Sequence, residues 1–396
     1  MSLSILAVYE GDFYTRHELG FIASLTTKYK VTVLNIEDST NKIEYNKAII
    51  KSDEMHSVPI VKIPAKYLHN RNIIKEIRTL MNSYDILISS ARRALMLSKQ
   101  LKDNTPLVLR LWSIRANKMI DNLRHGSYKD LLIFIPSLLA NAYYINNANA
   151  TITVDHATFI LAKQISKFTL HKPIIKIYPP YGALMANNDS VDEEKLNELL
   201  STIEKFRNNY TLGVTVLRKS GEYLKFEALP HAIFYYLIAK KNPDIPIFIL
   251  GSTRTEFVWK TKIEMNKIPK NMIFLNDYQI RLPDWIIERI YRSAKIIINY
   301  ISNRSISNRL IEALYFQKPI ITNKMAQILH PELIHGIHIH VVTKEEDYPN
   351  EIRKIYKNDD YLAILSKNAG LIYRYKFSPE VNLRLFNYLV RELIYR

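Results

Sequence analysis

Apolar residues run unbroken from Ser4 to Tyr9 and stop at Glu10-Gly11-Asp12, the pattern of a parallel strand buried on both faces. Helical spacing follows over Thr15 to Thr27, and a second apolar run over Lys30 to Ile36 ends at Glu37-Asp38. Together they predict a βαβ unit. Further strands are expected at Val58 to Ile63, Ile86 to Ser89, Leu107 to Leu111, Ala150 to Val154 and Ile174 to Tyr178, with helices between them such as Asn72 to Ser83. After Pro179-Pro180-Tyr181-Gly182 the chain turns polar and acidic through Asn209, with a helical stretch over Glu193 to Lys205. The alternation then restarts. Strands are expected at Thr211 to Leu217, Ile245 to Leu250, Met272 to Leu275, Lys295 to Tyr300 and Pro319 to Thr322. Helices are expected from Tyr223 to Lys240, Asp284 to Ser293, Ser307 to Phe316 and Ser378 to Tyr395. The pattern is α/β, with two doubly wound domains at 1–182 and 210–377, a linker region at 183–209 and a terminal helix at 378–396. Two such domains imply a cleft, where folds of this class bind ligands.

Composition narrows the chemistry. The 396 residues contain no cysteine, which excludes disulfides, thiolate nucleophiles and cysteine-held metal centres. That absence fits a reducing, cytoplasmic compartment, and with 26 tyrosines it suggests a hot-environment source. The net charge of +17 favours an anionic partner: a nucleotide, a nucleic acid or an anionic membrane. Residues 1–180 hold 24 basic and 14 acidic side chains and the remainder 31 and 24, so the excess is diffuse. A diffuse charge argues less for nucleic acid than a clustered patch would. Leu3 to Val8 lacks the basic flank and length of a targeting signal. Leu131 to Ile145 is apolar but interrupted by Pro136, Ser137 and Asn141, too short to cross a bilayer. With Arg115, Lys118, Arg124 and Lys129 before it, this stretch is either an interior helix or one resting on the inner membrane face.

Strand-to-helix turns are the natural places for phosphate. Four stand out: Gly11, Arg218 to Gly221, Gly251-Ser252-Thr253 and Ser302 to Asn308. None is a P-loop or a GxGxxG fingerprint, which lowers the ATPase and dehydrogenase readings. Arg218, Lys219 and Lys225 surround one turn, either as solvated loop charges or as a grip on a diphosphate. Glu312 stands among Leu310, Ile311, Ala313 and Leu314, either on the exposed face of its helix or accepting ribose hydroxyls. Asp155-His156, His338 and His340 read as structural.

Several segments now carry a family likeness. They are Asn242-Pro243-Asp244 through Ile249-Leu250-Gly251, Asn271 to Asn276, Ile311-Glu312-Ala313-Leu314 with Gln317-Lys318-Pro319-Ile320-Ile321, Ile177 to Gly182, and Leu365 to Phe377. Spread over nearly the whole chain, they resemble the GT-B glycosyltransferases of the retaining family 4 (glycosyl transferases group 1) type. The resemblance implies two Rossmann-like domains facing across a cleft, with a C-terminal helix crossing back to the first. It implies transfer of a hexose from a nucleotide-diphosphate sugar to a glycan, lipid-linked or protein acceptor, with retention and with no metal or other cofactor. Arg218 and Lys225 would be the catalytic cations on the diphosphate, and Glu312 would bind the ribose. The backbone N–H groups of Ser307 and Asn308 would meet the distal phosphate, with Arg304, Gly251 and Tyr278 completing the donor side. On the acceptor side the candidates are Gly11, Arg16, His17, Arg110, Trp112, Ser113 and Arg115.

The chain departs from the family pattern in three ways. Arg304 stands where the family has the first glutamate of a pair, and Ser307 where it has a glycine. The interval from Arg218 to Lys225 is two residues longer, and Trp112-Ser113 replaces a histidine. A guanidinium at 304 would favour a carboxylate or sulfonate on the donor sugar, or else join the phosphate grip or turn to solvent. Two alternatives stay open: a GT-B enzyme acting on nucleic acid, and a non-catalytic GT-B subunit that binds nucleotide or glycan.

Overall fold

The computed structural model describes residues 3–10, 16–38, 42–90, 93–112, 131–167, 172–184, 193–214, 228–278, 282–301 and 307–394. The chain forms two compact units, one of residues 1–185 with 375–396, the other of residues 186–302 with 307–374.

The first unit contains β1 (Ser4–Glu10), α1 (Arg16–Thr26), β2 (Lys30–Glu37), β3 (Glu44–Lys51), β4 (Met55–Pro64), α2 (Arg71–Asn82) and β5 (Ile86–Ser89). It continues through α3 (Arg93–Leu101), β6 (Leu107–Leu111), α4 (Leu131–Asn147), β7 (Ala150–Thr153), α5 (His156–Lys167), β8 (Ile174–Lys176) and β9 (Ala183–Leu184). Its strands form one sheet in the order β8-β7-β6-β5-β1-β2-β4-β3-β9. All neighbours are parallel except β3, which runs antiparallel to both β4 and β9. Alternation along β1 divides the core. Ile5, Ala7 and Tyr9 meet α1 on one face, while Leu6 and Val8 meet residues of α2, α3 and α5 on the other.

The second unit contains α6 (Glu193–Lys205), β10 (Thr211–Val214), α7 (Ala228–Lys241), β11 (Ile247–Leu250), α8 (Arg254–Thr261), β12 (Met272–Phe274), α9 (Asp284–Ser293) and β13 (Ile296–Asn299). It continues through α10 (Asn308–Tyr315), β14 (Ile320–Asn323), α11 (Met325–Leu329), β15 (His340–Val342), α12 (Tyr348–Tyr356) and α13 (Asp359–Ile372). Its sheet is wholly parallel, in the order β12-β11-β10-β13-β14-β15. This is the doubly wound order, and it reverses between β10 and β13. In the first unit the same reversal falls between β1 and β5. Both expected α/β sheets are therefore present.

Through the turn at Tyr373–Phe377 the chain passes from α13 into α14 (Pro379–Ile394), which returns to the first unit. Phe386, Leu389 and Val390 enter the core beside α1, and the Phe386 ring meets Phe21 and Tyr29 edge-on. Asn382 donates to the Tyr178 carbonyl at 2.7 Å, and Phe377 stacks on the Tyr178 ring at 4.7 Å. The segment holding Tyr178 then lies backbone-to-backbone on α1. A Cβ at Gly20 would stand 2.2 Å from the Pro180 carbonyl oxygen, and one at Gly182 would stand 2.2 Å from the Gly20 nitrogen. Only hydrogen fits at either place.

Leu131 to Ile145 is helical within α4, with Pro136 inside the helix. It is not an interior helix: Ile135, Leu139 and Tyr143 face outward. Among the described residues no helix is long and apolar enough to cross a membrane.

Candidate functional site

The C-terminal ends of the second unit's strands gather polar atoms that have no hydrogen-bond partner among the described residues. At the reversal point, Asn299 ends β13 fully buried; its Oδ1 accepts from the Ser307 hydroxyl at 2.9 Å, while its Nδ2 has no partner. Thr322 Oγ1 and Asn323 Oδ1 at the end of β14, Ser252 Oγ beyond β11 and Asn308 Oδ1 at the start of α10 are likewise buried and unpaired. Native interiors rarely leave such atoms without a partner, which makes these strand ends candidates for bonding to a ligand or water.

Helix α10 starts beside this cluster. Ser307 is its N-cap, yet the hydroxyl is turned to Asn299 and caps no helix N–H. Among the described residues no side chain caps this N terminus, whose positive dipole end suits an anion. One turn on, Glu312 is 6% exposed, so the exposed-face alternative for it fails. Arg309, which the sequence reading missed, reaches the hydroxyl of Tyr235 beneath the same strand ends. Tyr235 also donates to the Ile298 carbonyl at 3.2 Å, and burial raises its pKa. An arginine two residues into a helix that follows a strand was the available signal.

Gly251 turns the chain out of β11 at φ 102°, a left-handed conformation that favours glycine. Its N–H donates to Asn276 Oδ1 at 2.6 Å, tying it to the turn that carries Tyr278. The Tyr278 hydroxyl meets that of Thr202 at 3.1 Å and lines a cavity of about 320 Å³ with Phe206, Arg254, Phe274 and Asp277. Ser307, Asn308 and Glu312 thus follow the end of β13, while Gly251 and Tyr278 follow β11 and β12 on the other side of β10. Arg218, Lys225 and Arg304 lie outside the described residues.

In the first unit Gly11, Ser113 and Arg115 also lie outside the described residues. Arg16 and His17 open α1, and Trp112 follows β6 half-buried. Arg110, expected to face an acceptor, is instead fully buried in β6 and paired with Glu18 of α1. Its Nε donates to Glu18 Oε1 at 2.6 Å, the Tyr9 hydroxyl donates to the other oxygen, and the guanidinium lies 3.7 Å from the Phe21 ring centre. Burial holds the Glu18 carboxyl above its ordinary range, against the opposing pull of Arg110 and Tyr9. Arg110 Nη1 and Nη2, and Ser90 Oγ at the reversal point, have no hydrogen-bond partner.

Asp155 serves the fold. Its carboxylate accepts from the Thr158 N–H at 2.7 Å and from the Thr158 hydroxyl at 2.9 Å, closing the start of α5. The histidines are also structural. His338 Nδ1 accepts from Ile334 N–H, and His340 sits between Tyr361 and Glu351.

No protein-family model matches this chain, and neither does any curated protein. Its likeness is to solved structures. HepE of Anabaena, in complex with UDP and glucose, is 14% identical, with a TM-score of 0.65 over 98% of this chain and 100% of that one. Sucrose-phosphate synthase from Thermosynechococcus elongatus is 12% identical, at 0.64 over 98% and 99%. The UDP-forming alpha,alpha-trehalose-phosphate synthase from Burkholderia vietnamiensis is 10% identical, at 0.63 over 99% and 97%. The fold is GT-B. In this GT-B chain the unpaired atoms at Asn299 and Ser90 fall where a doubly wound sheet opens its crevice.

Proposed function

We propose that this protein is a glycosyltransferase that takes a sugar from a nucleotide-diphosphate donor and passes it to a hydroxyl acceptor. The observation that carries the reading is the set of unpaired buried polar atoms around the uncapped start of α10. Each such atom costs about 1–3 kcal/mol, which the hydroxyl and phosphate oxygens of a nucleotide sugar would offset. Glu312 would accept the ribose hydroxyls, and the α10 N terminus would receive the distal phosphate. The complexes named for HepE, with UDP, with UDP and glucose, and with UDP-glucose, support UDP-glucose as the first donor to test.

On this reading the bond between the anomeric carbon and the phosphate oxygen breaks as cationic groups meet the growing charge on the diphosphate. Arg218 and Lys225 are assigned to that role, with Arg309 of α10 as a further candidate cation. The leaving phosphate takes the acceptor proton on the face it vacates, so the sugar keeps its configuration and no divalent metal is required. The acceptor, a glycan or a lipid- or protein-linked hydroxyl, is assigned to the strand ends of the first unit. Arg304 in place of an acceptor carboxylate would favour a sugar that bears a carboxylate of its own.

Calorimetric titration of UDP, followed by UDP release from UDP-glucose and UDP-glucuronate with and without EDTA, tests each part. Binding and EDTA-resistant release are expected, with the glucuronate preferred. No heat with UDP, GDP or ADP would remove the nucleotide-sugar reading, and rescue of an EDTA-treated sample by Mg²⁺ would remove the metal-free step.

A further inference from the structure

Helix α4 is built inside out. Ser137 and Asn141 are buried at 9% and 7% exposure, while Ile135 and Leu139 on the opposite side are each 65% exposed and Tyr143 is 47% exposed. The buried polar pair is satisfied internally, Asn141 Nδ2 donating to the Ser137 carbonyl at 2.7 Å. The outward residues repeat every four positions, so they form one apolar stripe about 12 Å long. Scattered exposed apolar residues need no explanation, but a contiguous stripe does.

A cationic cluster adjoins one end of that stripe. The Lys99 ammonium lies 5.1 Å from the centre of the Tyr143 ring and within 3.4 Å of its hydroxyl. Lys172 donates to the Asn146 and Ala148 carbonyls at the end of α4, and Lys102 donates to Asn149 Oδ1 at 3.0 Å. Lys172 and Lys99 stand close enough to Lys102 to add to the lowering of its pKa that burial begins. The neighbouring Asp103 is engaged with Asn82 at 2.8 Å. Three like charges held together beside an apolar stripe suit a surface that offers both hydrocarbon and negative charge.

We propose that the Ile135–Leu139–Tyr143 face of α4, with Lys99, Lys102 and Lys172, docks this protein on an anionic lipid bilayer. Ile135 and Leu139 enter the boundary between headgroups and acyl chains, Tyr143 stays at headgroup level, and the lysines pair with lipid phosphates. The stripe is too short to span a membrane, so docking is peripheral and reversible. It uses residues of the first unit alone and requires no nucleotide.

Vesicle co-sedimentation of the full chain, without nucleotide, tests the proposal. Binding is expected to vesicles of phosphatidylcholine with about one-third phosphatidylglycerol, weakened in about 0.5 M salt and slight on phosphatidylcholine alone. The double variant Ile135→Asn, Leu139→Asn should lower partitioning at least about tenfold, and Lys99→Glu should erase the preference for anionic lipid. Both should melt with the parent, because these side chains face outward. Absence of binding to the anionic vesicles, or equal binding by parent and double variant, overturns the proposal. So does a parent dimer, seen by sedimentation velocity, that the double variant dissociates, since the face would then join two copies of this chain.

Discussion

A carboxylate that is 6% exposed, one turn into an uncapped helix, has little freedom to be anything but an acceptor. Glu312→Ala should therefore weaken UDP binding by about 1.5–3 kcal/mol, the range for hydrogen bonds to charged groups, as read by calorimetry. Arg309→Ala should weaken UDP by about tenfold while leaving uridine nearly unchanged, since only the diphosphate needs the cation. Asp155 gives a pH-dependent readout of stability. Burial pushes its carboxyl up to about 6 from an ordinary 3.8, so the folded state holds this proton more tightly than the unfolded one. Its contribution is then fully present below about pH 4 and is lost as pH rises through 6, a change of about 3 kcal/mol. Urea midpoints across pH 3.5–7 should show that decline in the parent and not in Asp155→Asn, which keeps an oxygen for Thr158. Glu312, Ser307 and Asn308 were legible in the sequence because they occupy one linear motif. Asn299, Thr322 and Asn323 were not, because each looks like an ordinary strand end. Only the strand order brings the three to one edge.

Helix α1 packs backbone against backbone on the segment from Pro180 to Gly182, and two glycines allow it. Gly20→Ala would force a methyl group into the Pro180 carbonyl, with backbone on both sides and nothing flexible to yield. Overpacking of this kind costs about 3 kcal/mol, so Gly20→Ala and Gly182→Ala should each lower the urea midpoint markedly. Gly336→Ala, where a Cβ would meet nothing but φ is +78°, should cost about 1 kcal/mol. The sequence made the buried parallel strands legible to within a few residues, because continuous apolar runs have no other soluble use. It hid β3. Only Ala48 and Ile50 of that strand are buried, so neither a continuous run nor a full alternation exists to be seen. The orientation of α4 was hidden for the opposite reason: a helix apolar nearly all round does not declare which face is inside.

At the scale of the whole molecule, the first unit is discontinuous in sequence. Removing residues 375–396 would strip Phe386, Leu389 and Val390 from its core and delete the Asn382 bond to Tyr178. At about 1.5–3 kcal/mol for each large side chain, that loss approaches the entire stability of a domain. Limited proteolysis of the 1–374 fragment should digest the first unit quickly and spare fragments of the second; equal survival of both would show that α14 is dispensable. The same arrangement bears on synthesis. On a ribosome adding about 5–20 residues per second, α1 waits roughly 10–40 s after Gly182 emerges before α14 follows. During that interval the second unit is completed, while Phe21 and Tyr29 face solvent or a chaperone. The domain translated first is thus the last to finish folding.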